Sequence, residues 1–239
     1  MAWGTPTSIS NLQSATDAAS YDGSAVAEAP ADNDILVLVA SWTKATDPDL
    51  PTAVTACGKT LTEALTRGYN TGAAPTKRVG IYTVRSTGYD TTAPNMDFGA
   101  NTQTGMNLRL IKVSGGSSGT PVQTKSGTIS TASLSLTFDF DAGVTAGNLV
   151  VAVMGHATTA ATMTEGASPA YTTLGTRTHN NPNEQHIAQY LIAAGGEVTV
   201  VATSDASVQW GGAAIELAVE AGAAVGQSTS NRTTRRRRR

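Results

Sequence analysis

The stretch Asn33-Asp-Ile-Leu-Val-Leu-Val-Ala-Ser-Trp42 decides the fold class, because a continuously apolar core, Leu36-Val-Leu-Val39, follows a turn-forming Asn-Asp pair. A strand apolar on both faces belongs in the middle of a β-sandwich. Gly147-Asn-Leu-Val-Val-Ala-Val-Met-Gly-His156 repeats the pattern at a constant offset, so the chain is read as a duplication. Arg78-Val-Gly-Ile-Tyr-Thr-Val84 aligns with His186-Ile-Ala-Gln-Tyr-Leu-Ile192, and 105–113 with 212–219. Each copy then reads as turn, central strand, variable loop, strand with an inward Tyr, turn and closing strand.

Outward from these runs, short β-branched segments alternate with Gly, Pro, Asn, Asp, Ser and Thr clusters, which is strand-and-turn punctuation. Strands are expected at 35–42, 61–66, 79–85, 106–113, 133–140, 149–155, 171–177, 187–192, 197–203 and 213–219. Ser133-Leu-Ser-Leu-Thr-Phe-Asp-Phe140 alternates strictly, as a strand with one face in water does. Helix signals are confined to 213–224 and a turn near 62–65. The expected domains are a β-sandwich at 1–114, a Gly/Ser linker at 115–121, a second sandwich at 122–222 and a flexible basic tail at 223–239.

Composition narrows the function classes. Of 239 residues 14% are charged and 40% hydrophobic, which suits a folded, small-residue-rich β protein rather than a disordered chain. A single cysteine, Cys57, excludes an internal disulfide and a cysteine-based zinc site. No apolar run reaches the length of a membrane span, and Met1-Ala-Trp-Gly-Thr-Pro6 lacks the features of a secretion signal, so no membrane partner is expected. Charge is segregated: residues 1–231 carry −8, while Arg232, Arg235, Arg236, Arg237, Arg238 and Arg239 place +6 on the last eight positions. Such a run repels itself unless an anionic partner gathers it, and these arginines are the expected partner-binding residues.

Candidate chemistry is sparse. His179, Glu184 and His186 share one polar connection and form a weak candidate metal set, although Pro182 argues against a helical zinc spacing. A solvated loop tip touching a neighbour is the preferred reading of that segment. Carboxylate pairs at Asp32/Asp34, Asp47/Asp49 and Asp139/Asp141 raise calcium as a weak cofactor candidate, but none has EF-hand spacing. His156 sits at the position of Trp42, and both rings are expected to cap sandwich cores. No Gly-x-Ser-x-Gly elbow or P-loop is present, so catalytic residues are expected to be none. Nucleic acid could be met only through the arginine run.

Ala146-Gly-Asn-Leu-Val-Val-Ala-Val153, a following Tyr strand, the Ala-Gly-Gly-Glu-Val-Thr-Val turn at 194–200 and Gly-Gly-Ala-Ala-Ile-Glu-Leu at 211–217 resemble jelly-roll β-sandwich modules of tailed-bacteriophage structural proteins. The resemblance covers about 100 residues per copy, a plausible sandwich size; the first copy departs from it with Asp32-Asn-Asp34 at the turn. It implies an all-β fold of two tandem antiparallel jelly-roll-like sandwiches. It also implies a virion protein assembled in the host cytoplasm: a capsid decoration or cement protein, head fibre, or tail or baseplate component. Such modules are usually homo-oligomeric, have other virion proteins as partners and carry no catalytic residues. The competing expectation is a carbohydrate- or receptor-binding module using Trp3, Trp42, Trp210 or a few Tyr residues, with Trp210 itself read as core or rim; a glycan hydrolase ranks third.

Overall fold

The computed structural model describes residues 2–70, 74–180, 183–197 and 199–220, and every regular element within them is a β-strand with antiparallel partners. In the first half these are β1 (Thr7–Ser14), β2 (Ser20–Asp22), β3 (Ile35–Thr43), β4 (Ala53–Ala56), β5 (Lys59–Thr60), β6 (Thr62–Tyr69), β7 (Lys77–Arg85), β8 (Asn95–Asp97) and β9 (Gly105–Val113). The second half contributes β10 (Gln123–Asp139), β11 (Leu149–His156), β12 (Met163–Glu165), β13 (Thr172–Asn180), β14 (Asn183–Ile192) and β15 (Thr199–Leu217).

The two continuously apolar strands are central, as their sequences require. β3 lies between β9 and β7 in a sheet of order β1-β9-β3-β7-β6, and β11 lies between β15 and β14 in one of order β10-β15-β11-β14-β13. On β3 the period of two sends Leu36, Leu38, Ala40 and Trp42 to an outer core, capped by Tyr21, Val54, Met96 and Phe98 from the sheet β2-β8-β4-β5 and its flanks. Ile35, Val37 and Val39 point the other way. There they meet Leu149, Val151, Val153, Ala213, Ile215 and Leu217 of the second half in an inner core common to both halves. At roughly 1.5–3 kcal/mol per fully buried aliphatic side chain, this layer joins the halves into one sandwich-like body.

The outer core of the second half is closed differently. β10 and β15 double back: 123–129 pair with 210–216, whereas 135–139 pair with 199–203. The returning segments bring Leu136 and Phe138 over Val150, Ala152 and Met154. The fold-over needs two opposed glycines, since a Cβ on Gly127 or Gly212 would lie 2.7 Å from the Phe138 ring.

Strand order shows the duplication directly, because β1-β9-β3-β7-β6 and β10-β15-β11-β14-β13 are the same path. The halves also meet reciprocally: β1 packs on β13 while its counterpart β10 packs on β6, and β3 crosses β11. This is the contact logic of an isologous dimer inside one chain. Trp42 and His156 are equivalent, each being paired with the other two strands at the same register.

The expected alignment of the Tyr strands is out by one residue. Ile35 pairs with Arg85 and Leu149 with Ile192, so Tyr82 corresponds to Gln189 and Tyr190 to Thr83. A one-residue slip changes the face, and accordingly Tyr82 is in the outer core of the first half whereas Tyr190 borders the inner core. The closing strand 105–113 likewise corresponds to 209–217 rather than 212–219.

The weak helix signal at 213–224 yields, where the structure describes it, to the strand expected at 213–219, because 213–217 complete β15. There Ala213, Ile215 and Leu217 alternate inward between β10 and β11. The turn expected near 62–65 is likewise part of β6. The strands expected at 197–203 and 213–219 are two arms of that one long strand. Gly115 and Gly116 pass under Trp3, where a Cβ on Gly116 would lie 2.2 Å from Ile35 Cδ1, and Ser117 and Val122 donate to Ala218 and Glu216. Arg232 and Arg235 to Arg239 lie outside the described residues.

Candidate functional site

The inner layer between the two central sheets changes character along its length. One end is aliphatic; at the other, β3 places Ser41 and Thr43 inward, β7 places Lys77, and β9 places Asn107 and Arg109. From the second half β13 adds Arg177 and His179, and β14 adds Glu184 and His186. Asn180 pairs with Asn183, so the segment expected as a solvated loop tip is the end of a hairpin, and His179, Glu184 and His186 are buried between sheets. The correction follows from register: 184, 186 and 188 share one face of β14, and Ala188 lies in the inner core.

Glu184 is the hub of this polar belt. Its Oε1 accepts the Tyr69 hydroxyl at 2.7 Å and its Oε2 faces His179 Nε2 at 2.9 Å. Lys77 Nζ donates to the Asn183 carbonyl at 2.6 Å, and Ser41 Oγ shares a hydrogen bond of 2.9 Å with His186 Nδ1. The Tyr69 ring crosses from the first half into a slot made by two cross-strand neighbours: a Cβ on Gly155 would lie 2.4 Å from its hydroxyl oxygen and one on Gly211 2.3 Å from its Cδ1. His179 lies on Gly105 in the same manner, 2.7 Å from the position of a Cβ.

Electrostatics follow from burial and these partners. Burial pushes the Glu184 carboxyl up, but His179, Lys77 and the Tyr69 hydroxyl outweigh it and hold the group below its ordinary value. Burial pushes His186 down to about 3, with Glu184 opposing and Arg109, His179 and Arg177 reinforcing, so its ring is neutral near pH 7. The Lys77 ammonium is lowered by burial against the pull of Glu184, and Tyr69 is raised by burial and by Glu184. Arg109 is lowered by burial and by the like charge of Arg177.

The other candidates are dispersed. Among the described residues no group of three or more His, Cys, Asp or Glu side chains is placed to hold a metal ion. Asp139 and Asp141 are exposed, and Asp141 pairs with Lys125. Asp32 Oδ1 accepts from the Gly88 amide and Asp34 Oδ2 from the Ala31 amide; Asp47 bonds Arg78, and Asp49 bonds Lys44 and Gln103. His156 packs edge-on against Trp210, with ring centroids 5.2 Å apart. Trp3, Trp42 and Trp210 are 8%, 0% and 0% exposed, so none offers a platform at the surface. The indole N–H groups donate to Gly147, Asp49 and Ser133 carbonyls.

Sequence reasoning reached His179, Glu184 and His186 but missed Tyr69, Lys77, Ser41, Asn107, Arg109 and Arg177. The signal that points to them is a polar residue in phase with a buried apolar face, as Ser41 is with Ile35, Val37 and Val39. No family model matches the chain, and neither a curated protein nor a solved structure matches it.

Proposed function

We propose that this chain is a non-enzymatic structural component of a tailed-bacteriophage particle, built as two tandem jelly-roll-like β-sandwich modules. In this reading its arginine-rich C-terminus docks on an acidic surface of another virion protein. The observation that carries the proposal is the segregation of charge, −8 on residues 1–231 against +6 on 232–239. The basic run adds reach and attraction, while sheet edges and loops supply flat contacts, and two weak contacts on one chain gain from effective concentration.

The use of the titratable groups supports a structural rather than a catalytic role. His156 packs edge-on against Trp210, His179 pairs with Glu184, and His186 bonds Ser41 across the two sheets. The protein assembles in the host cytoplasm, resides in the virion as a homo-oligomer and needs neither calcium nor another cofactor. A capsid decoration or accessory role is favoured over a tail or baseplate role, and nucleic acid is met only through Arg235 to Arg239. The carbohydrate- or receptor-binding alternative would have to do without a tryptophan platform, since all three tryptophans are buried.

Particle reconstitution tests the proposal. Full-length protein and a truncation ending at Asn231 are each mixed with particles lacking the protein, and bound copies are counted across a salt series. Regular stoichiometry for the full chain, with release of the truncation at lower salt, is the expected result. Failure of both to bind particles while the free protein captures a glycan would replace it with the receptor-binding reading.

A further inference from the structure

The duplication makes the two ends of the polar belt comparable position by position. Strand pairing equates Tyr69 with His179, Arg67 with Arg177, Leu65 with Gly175, Asn107 with Gly211, Arg109 with Ala213 and Ser41 with Gly155. At the first end the Tyr69 ring fills the slot between Gly155 and Gly211, and Arg67 donates to Thr128 Oγ1 at 3.2 Å. At the second, Ser41 and Asn107 replace those glycines, and Arg109 stands where the other half buries an alanine.

The second end is rich in buried polar atoms without partners. Arg109 Nε, Arg177 Nε, both amide atoms of Asn107, His179 Nδ1 and His186 Nε2 are buried with no hydrogen-bond partner. Asn107 and His186 are 0% exposed and Arg109 is 6% exposed. No carboxylate lies within ion-pair distance of either guanidinium among the described residues, and Glu184 is already engaged by Tyr69 and His179. A β-bulge re-aims β13 here: Gly175 has φ +123°, and a Cβ on it would lie 2.6 Å from Arg109 Nη2. The opposite bulge carries Leu65 instead.

A buried guanidinium, Arg109, beside a second, half-buried one, Arg177, favours a counter-charge between them, and planar guanidinium forks match the oxygens of a tetrahedral anion. We infer that this end of the belt is a binding site for a small oxyanion of the phosphate or sulfate class. Arg109 and Arg177 hold it, with the Asn107 amide and His186 on its remaining sides. Arg177 is only partly buried and lies on the edge strand β13, beside the edge strand β1, which provides the route of entry. The site is argued without the C-terminal arginines and does not depend on the virion reading.

The test is calorimetric titration of the full chain with inorganic phosphate at constant ionic strength. It is repeated for Arg177→Gln, for Asn107→Asp and for a variant with Arg235 to Arg239 replaced by serine. One saturable site is expected, retained in the serine variant, weakened at least tenfold by Arg177→Gln and abolished by Asn107→Asp, which places a carboxylate among the guanidiniums. Absence of saturable binding by the natural chain, its loss in the serine variant, or undiminished binding in either folded belt variant overturns the inference. Should Arg177→Gln not fold, Asn107→Asp decides.

Discussion

The Tyr69 hydroxyl donates to Glu184 across the inner layer at 2.7 Å, while its ring occupies the slot between Gly155 and Gly211. One side chain of the first half is thus gripped by three strands of the second. Gly211→Ala would drive a methyl group into the ring, and overpacking of this kind costs about 1–3 kcal/mol. Tyr69→Phe keeps the packing but leaves a buried carboxylate oxygen without its donor, a loss of about 1–3 kcal/mol. Denaturant unfolding of both variants measures these losses.

The shared inner core predicts that the halves unfold together. Calorimetry should record one transition rather than two, since separating the halves exposes Ile35, Val37, Val39, Leu149, Val151 and Val153 at once. Trp3 packs in this core and bonds Gly147. Trp3→Ala should therefore lower stability by about 3–5 kcal/mol while keeping a single transition.

His186 makes stability depend on pH. Its folded value, about 3, lies below the unfolded 6.5, so the unfolded chain binds the proton first and stability is lost as pH falls between these values. The slope is about 1.4 kcal/mol per pH unit for one fully titrating proton. Glu184, also depressed, adds a loss of the same sign at lower pH. Melting temperature against pH should fall less steeply from pH 6 to 4 in His186→Gln, which removes the titrating ring.

Cys57 occupies the two-residue Cys57-Gly58 turn between β4 and β5, with both residues at positive φ. Burial, reinforced by Asp90, pushes its thiol up to about 11. A colorimetric disulfide reagent at pH 8 should leave the native protein unmodified and titrate one thiol in denaturant.

Some of this architecture was legible because it depends on local periodicity. The runs at 36–39 and 149–154 could only be central strands, and the turn residues before them marked equivalent starts, so the Trp42 and His156 equivalence is correct. The Tyr strands were misaligned because two tyrosines made an attractive match, whereas register is set by hydrogen bonding to β3 and β11. The small and β-branched residues at 213–217 left helix and strand close in local preference. Burial on both sides between β10 and β11 decided for strand.

By itself the sequence determined that the chain is all-β, duplicated, built around two doubly apolar strands, and segregated in charge. Those properties follow from side-chain alternation and composition, which act within a few residues. Only the tertiary structure decided that the halves meet face to face, that Tyr69 needs glycines about 90 and 140 residues away, and that His179, Glu184 and His186 join Arg109 and Arg177 in one buried layer. The physical reason is that packing and desolvation depend on which surfaces become neighbours, and strand pairing over long separations sets that.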